Sequence, residues 1–294
     1  MKSKSILFVG CGDIGVRLGG RLHASGWSVT GLRRDVSRLP TSFKAIAADY
    51  SRAGELKSIA PPAPDYLVAT CNPTERSVAG YEQGFTEGAR NILEALGSHR
   101  PKALFWVSST RVYAERDGGW VNEDSPLSKD DPRADAMIRA EQLMLNSSHN
   151  VSVIRFAGIY GGVGGRLLDR IRRGELNPEL PVRYSNRIHR EDCAGFLLHL
   201  IERVESGQSI APIYNGVDAE PSPQGEVDRW LAAQIGLPAE AANVNADSGQ
   251  RTGAGAPVGH KRCSNRLLTE SGYELTYPDY RVGYAAALAA KAPE

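Results

Sequence analysis

The run ILFVGCGDIGVRLGGRL, residues 6–22, constrains this chain more than any other stretch. Four apolar residues of strand character precede Gly10, Gly12 and Gly15, and apolar residues at helical spacing follow, so the glycines fall in a strand-to-helix turn. In such a turn Gly10 permits the tight bend, Gly12 lets an anionic pyrophosphate approach the backbone, and Gly15 allows close helix–strand packing. Asp13 and Ile14 complete the first helical turn, whose free N–H groups face the anion. The motif predicts a βαβ unit that holds a dinucleotide. Three incidental glycines in a turn are the alternative.

The chain beyond it repeats the pattern. Strand-like runs at 28–32, 45–47, 66–69, 103–107 and 151–156 alternate with helical spacing at 15–25, 53–59, 80–96 and 134–145. Nearly unbroken apolar strands between helices predict an α/β fold: a doubly wound parallel sheet of Rossmann type, covered on both faces. After residue 160 glycines and prolines crowd the chain, with further helices predicted at 193–205 and 225–235 and a short strand at 212–215. We therefore expect a dinucleotide-binding domain over 1–160 and a smaller C-terminal α/β substrate lobe over 161–294, with 182–206 packing back on the first domain. The Gly-rich polar stretch at 245–262 reads as a mobile surface loop.

Lys plus Arg number 35 against 34 Asp plus Glu, a formal charge of +1, which gives no global attraction to nucleic acid or membranes and favours a small-molecule substrate. The 4 cysteines, Cys11, Cys71, Cys193 and Cys263, include no C-x-x-C pair, against a zinc site or a disulfide scaffold and in keeping with a reducing cytoplasm. No metal site is expected. Residues 6–9 are too short for a signal-peptide core and meet Asp13 and Arg17, and no stretch is apolar enough to span a bilayer.

The second strand ends in Arg33 and Arg34, where an NAD site carries an acidic residue for the ribose 2′-hydroxyl. A guanidinium holds a 2′-phosphate that a carboxylate repels, so the pair favours NADP over NAD. The other reading makes them a solvated basic turn, with Asp35 as the ribose ligand. Asp49, after the third strand, is expected beside the adenine or as a simple turn residue.

Six segments, GCGDIG, EGARNILEAL (87–96), VSSTRVY (107–113), WVNEDSP (120–126), RFAGIYG (155–161) and NRIHREDCA (186–194), together resemble the extended short-chain dehydrogenase/reductases of the NAD(P)-dependent epimerase/dehydratase superfamily. The endings YNGVDAEPSP and SGYELTYPDYRVGY are similar to an atypical branch of it. The resemblance implies a catalytic hydroxyl at Ser109, binding a substrate oxygen beside the nicotinamide. Capping of the strand end is the alternative work for Ser108, Ser109 and Thr110.

The family's proton donor is the Tyr of Y-x-x-x-K, one helical turn from the Lys that lowers its pKa. Anchored on Glu141, that motif falls on Arg133 and Met137. Arg133 can stabilise an oxyanion but stays protonated, and Met137 has no proton to give. No tyrosine lies between Tyr113 and Tyr160, and the lysine in that interval is Lys129. The resemblance offers Tyr113, Tyr160 and His189 as substitutes, with packing as the other role of each. Where many sugar-nucleotide enzymes carry Asn, this chain has Gly158. Arg190 and Asp192 read as a polar joint between lobes, and Cys11 as a buried residue or a thiol activated by the loop dipole.

These residues imply an NADP-preferring oxidoreductase or epimerase-like enzyme for a small carbonyl, hydroxyl or sugar-nucleotide-like substrate, working with an unusual proton donor. A non-catalytic NADP(H)-binding redox sensor is the reading from a different class, and a protein binding no dinucleotide the third. Family habit suggests a homodimer.

Overall fold

The computed structural model describes residues 3–59, 61–162, 164–237, 243–244 and 259–290. Strands Ser5–Val9 (β1), Ser28–Arg33 (β2), Lys44–Ala47 (β3), Tyr66–Ala69 (β4), Ala103–Ser109 (β5), Val151–Phe156 (β6) and Ile213–Gly216 (β7) form one sheet of 7 strands. The order is β7-β6-β5-β4-β1-β2-β3, and every neighbouring pair is parallel. After β3 the chain crosses to the other side of β1, so the direction of winding reverses between β1 and β4. Parallel α/β sheets bind ligands outside the C-terminal strand ends at this switch point.

Side chains alternate across each strand, so one strand feeds two cores. Ile6 and Phe8 of β1 pack with Phe105, Leu18 and Leu22 of helix Asp13–Ala24 (α1), and Phe196 and Leu200 of helix Arg190–Glu205. Leu7 and Val9 face the other way, onto Leu104, Trp106, Ile92 of helix Gly88–Leu96, and Met137 and Ile138 of helix Pro132–Leu145. Full burial of one such side chain contributes roughly 1.5–3 kcal/mol, so both faces hold the sheet shut. The helix expected at 80–96 starts at Val78 and widens into a π-helical stretch over Glu82–Glu87 before the α-helical Gly88–Leu96.

A third, smaller core joins Leu168, Ile171, Val227, Leu231, Tyr280 and Tyr284 in the C-terminal half. That half is not a simple appendage. Ile213–Gly216 returns to the main sheet as its edge strand β7, paired with β6. Helix Arg190–Glu205 returns too: its Glu191 pairs with Arg17 and, at 2.5 Å, with Arg21 of α1. The stretch at 245–262 lies outside the described residues up to 258, while at its end Arg262 pairs with Trp120 in a separate two-stranded sheet. Among the described residues no helix is long and apolar enough to cross a membrane.

Candidate active site

Gly10 has φ +74°, and a Cβ there would stand 2.8 Å from the carbonyl oxygen of Thr70, so the turn closes only with glycine. Thr70 in return donates its hydroxyl to the Gly10 carbonyl at 2.7 Å, which ties the ends of β1 and β4 together at the switch point. Gly12 is the N-cap of α1 and offers no side-chain cap to the first N–H groups. A Cβ on Gly12 would meet nothing nearer than the Gly10 oxygen at 3.7 Å, so the space over these donors is open. That is the cradle a pyrophosphate requires. With Asp13, Ile14 and Gly15 in the first turn of α1, the residues present fit a dinucleotide.

A cleft of about 360 Å³ opens beside the cradle, lined by Gly12, Arg33, Arg34, Arg38, Asp49 and Tyr50 among others. Arg33 reaches back so that Nη1 donates to the Cys11 carbonyl at 3.0 Å, placing its guanidinium at the rim of the glycine turn. Arg34 is exposed, 4.0 Å from Asp49. Both acids of the cleft hold their own turns. Asp35 accepts from Ser37 N at 3.1 Å and Oγ at 2.6 Å, and Asp49 accepts from Ser51 N at 3.0 Å and Oγ at 2.6 Å.

A second cavity of about 500 Å³ lies past the start of α1, lined by Asp13, Tyr160, Gly161, Arg166, Arg190 and Tyr284 among others. Arg190 turns to Asp13 at 3.7 Å rather than to Asp192. Asp192 is fully buried and accepts from Tyr273 at 3.0 Å and from the amides of Thr276 and Tyr277 at 2.8 and 2.9 Å, so it pins the C-terminal segment without an ion pair. His189 is buried, caps its helix by accepting from Glu191 N at 3.3 Å, and lies against Tyr277 with centroids 3.7 Å apart. Burial holds its pKa below the usual imidazole value. Tyr160 stacks on Tyr284 at 4.5 Å and donates to the Asp279 carbonyl at 3.2 Å.

The segment VSSTRVY leaves the end of β5 as a single 3₁₀ turn. Ser108 points inward and donates to Glu141. Ser109, at the strand end, is half-buried, and its Oγ accepts from Arg111 N at 3.2 Å, which caps the turn and leaves its own proton free. Tyr113 is 0% exposed; its hydroxyl donates to Asn215 Oδ1 at 2.6 Å and accepts from Arg155 Nη1 at 3.0 Å. Burial raises its pKa, against the pull of Arg155. This phenol is held in the core with its hydroxyl engaged on both sides, the geometry of the packing role that stood beside the catalytic one. Arg133 lies over the Tyr81 ring at 5.9 Å, and Arg111 over the same ring at 5.7 Å, with Arg111 Nη2 2.6 Å from Asp131. Met137 is buried.

A family model described as NAD(P)H-binding matches residues 10–203. The chain belongs to that family. A solved structure from Methylobacillus flagellatus, described as a NAD-dependent epimerase/dehydratase, is 34% identical, covers 98% of both chains and has a TM-score of 0.78. The 7-stranded sheet and these neighbours make the chain an extended short-chain dehydrogenase/reductase of epimerase/dehydratase type. Among curated relatives, 3-diazoavenalumate denitrifying reductase of a Streptomyces species is 25% identical over 92% of this chain and 96% of its own length. Protein YeeZ of Escherichia coli is 26% identical, over 94% and 97%.

The chain keeps the glycine turn of such a fold, and Arg133 and Met137 lie on helix Pro132–Leu145 at the positions the resemblance assigns to the family's Tyr and Lys. Cys11 is 1% exposed and its thiol is pushed up to about 12 by burial, against the pull of Arg33, in line with the buried rather than the activated of its two readings. Arg111 stands in the sequence only as part of VSSTRVY, and nothing in the local pattern marks Tyr81. Lys261, within the stretch expected to be a mobile surface loop, is 1% exposed.

Proposed function

We propose that this protein is an NADP-preferring oxidoreductase or epimerase-like enzyme acting on a small carbonyl, hydroxyl or sugar-nucleotide-like substrate. The observation that carries the coenzyme preference is the placing of Arg33 against the glycine turn, its Nη1 spent on the Cys11 carbonyl and its remaining donors open to the cleft, while both cleft carboxylates are engaged by serines. Arg34 at the mouth adds a second positive charge to the place a 2′-phosphate occupies. The reduced nicotinamide supplies hydride when bound. Ser109, whose hydroxyl proton is free, orients a substrate oxygen, and Arg133 adds positive charge on the side the family gives to its tyrosine. A relative of nearly full length that is named a reductase supports reduction as the reaction.

Calorimetric titration with NADPH and NADH tests the preference. One charge-assisted contact is worth about 1.5–3 kcal/mol, so Arg33→Ala is expected to weaken NADPH roughly 10–150-fold and leave NADH nearly unchanged. Equal affinity of the native chain for both coenzymes would refute it. For the reaction, NADPH consumption with a panel of aldehydes and ketones is expected to fall in Ser109→Ala. A coenzyme-saturated chain that reduces nothing on the panel would favour the redox-sensor reading, whose support is the substituted Arg133 and Met137.

A further inference from the structure

The proton still needs a source, which neither Arg133 nor Met137 of helix Pro132–Leu145 supplies. The structure brings a cation to the Ser109 segment from a remote part of the chain. Lys261 opens the short strand Arg262–Cys263, which pairs with Trp120–Val121 just after that segment. Asn186 clamps this strand from the other side: Nδ2 donates to the Lys261 carbonyl at 2.9 Å, and Oδ1 accepts from Cys263 N at 2.7 Å. The Asn186 carbonyl in turn accepts from Gly158 N at 3.2 Å, where the chain leaves β6. The chain at Lys261 is thus tied through Asn186 to the segment that follows β6 and through Arg262–Cys263 to the segment that follows the 3₁₀ turn after β5.

Its surroundings do not explain it. The residue is 1% exposed, and its ammonium makes no hydrogen bond or ion pair among the described residues. The charged and titratable groups that act on it are Arg111 of the 3₁₀ turn, Arg116 and Glu115 of the following loop, and Cys263 of its own strand. None is a free counter-ion. Glu115 accepts from the amides of Asp117 and Gly119 at 2.6 and 3.0 Å, Arg111 is paired with Asp131, and Arg116 donates to the carbonyls of Tyr113 and Glu115. The Cys263 thiol lies against Thr110, the residue after Ser109. A lysine so little exposed and bonded to none of the described residues is costly where Met or Leu would pack the same space, and a ligand oxygen would offset that cost.

We propose that Lys261 is the proton donor of this site, its ammonium hydrogen-bonded to the substrate oxygen that Ser109 orients. The assignment rests on the reductase reading above. As hydride from reduced nicotinamide reaches the carbonyl carbon, the carbon–oxygen π pair moves to oxygen, an Nζ–H bond breaks and the O–H bond forms. The lysine is left as a neutral amine and recovers its proton from water; the coenzyme leaves oxidised. Burial and Arg116, with Arg111 adding to them, draw the ammonium down to about 8, against Cys263 and Glu115. That value suits a general acid near neutral pH. One residue thereby covers the two roles the family divides between its Tyr and Lys.

Two measurements test this. In protein carrying ¹³C-labelled lysine, the Lys261 Cε resonance, assigned by its absence from Lys261→Arg, is expected to titrate near pH 8; a midpoint at the ordinary value of about 10.4 overturns the proposal. On any carbonyl compound the native chain reduces, Lys261→Met is expected to lower kcat about 10²–10⁴-fold with NADPH affinity unchanged, and to abolish the fall in rate above pH 8. Lys261→Arg, which keeps the charge and so guards against misfolding, is expected to lose activity as well because guanidinium does not release its proton. Either variant turning over at the native rate overturns the donor role alone. A native chain that binds NADPH and reduces nothing overturns the reductase reading, and the donor role with it.

Discussion

Glu141 and Arg155 are each 2% exposed, and together they hold the Ser108–Ser109 strand end from below. Arg155 Nη2 lies 2.7 Å from Glu141 Oε2, its Nε lies 3.2 Å from both oxygens, and its Nη1 donates to Tyr113 at 3.0 Å and to the Glu123 carbonyl at 3.1 Å. Glu141→Leu leaves that guanidinium buried among apolar side chains with its carboxylate gone. Breaking one half of a buried pair costs about 3–5 kcal/mol, whereas removing both charges together is close to neutral for the pair itself. At about 2–4 °C per kcal/mol, Glu141→Leu and Arg155→Met are each expected to lower the melting temperature by roughly 6–20 °C. The double variant still strands the Tyr113 and Ser108 hydroxyls, at about 1–3 kcal/mol each, but is expected to be less damaged than the sum of the singles by about 3 kcal/mol. Urea unfolding of all four chains, followed by circular dichroism, gives the cycle. Singles that cost under 1 kcal/mol, or strictly additive losses, would refute the claim that this pair is a coupled, desolvated unit.

Three further outcomes are expected. Tyr113→Phe should cost about 1–3 kcal/mol of stability, because Asn215 and Arg155 each lose a partner, with NADPH affinity unchanged; unchanged stability with a 10²-fold fall in kcat would return the phenol to the chemistry. Asp218 is 1% exposed and its carboxyl is raised to about 8 by burial, against the pull of Arg187, so the native state holds a proton there that the unfolded chain releases near pH 4. Its contribution to stability is therefore full below pH 4 and falls as pH rises towards 8, by up to about 1.4 kcal/mol per pH unit, and urea unfolding of Asp218→Asn between pH 5 and 8 should show that slope removed. All 4 cysteines are buried and free, so a thiol reagent at pH 7.5 should label the folded protein far more slowly than the urea-unfolded one; rapid labelling of Cys11 in the folded state would contradict its burial.

Much of the sheet was legible because its signals are local. The strand expected at 66–69 is Tyr66–Ala69 and that at 151–156 is Val151–Phe156, since an apolar run between turn residues needs only its neighbours to declare itself. The π-helical widening at Glu82–Glu87 left no mark, because apolar spacing reports the buried face of a helix and not the register of its backbone hydrogen bonds. The edge strand Ile213–Gly216 was read as part of the second lobe: four residues carry no information about which sheet they join, and long-range pairing with β6 decided it.

The sequence by itself determined the cradle. Glycine spacing, the strand before it and the helix after it fix the turn through backbone sterics alone, and Arg33–Arg34 follow at a set distance along the next strand. It also carries no Y-x-x-x-K motif between Tyr113 and Tyr160, where the resemblance leads one to look for it. Which hydroxyls stay unengaged was a tertiary matter: Ser108 and Tyr113 are turned into the core by Glu141, Arg155 and Asn215, and Ser109 is left at the strand end. Only tertiary structure could carry Lys261 to that part of the molecule, because the stretch is held there by Asn186, 75 residues away, which donates to the Lys261 carbonyl, and by the pairing of the next residue, Arg262, with Trp120, contacts that no local pattern announces.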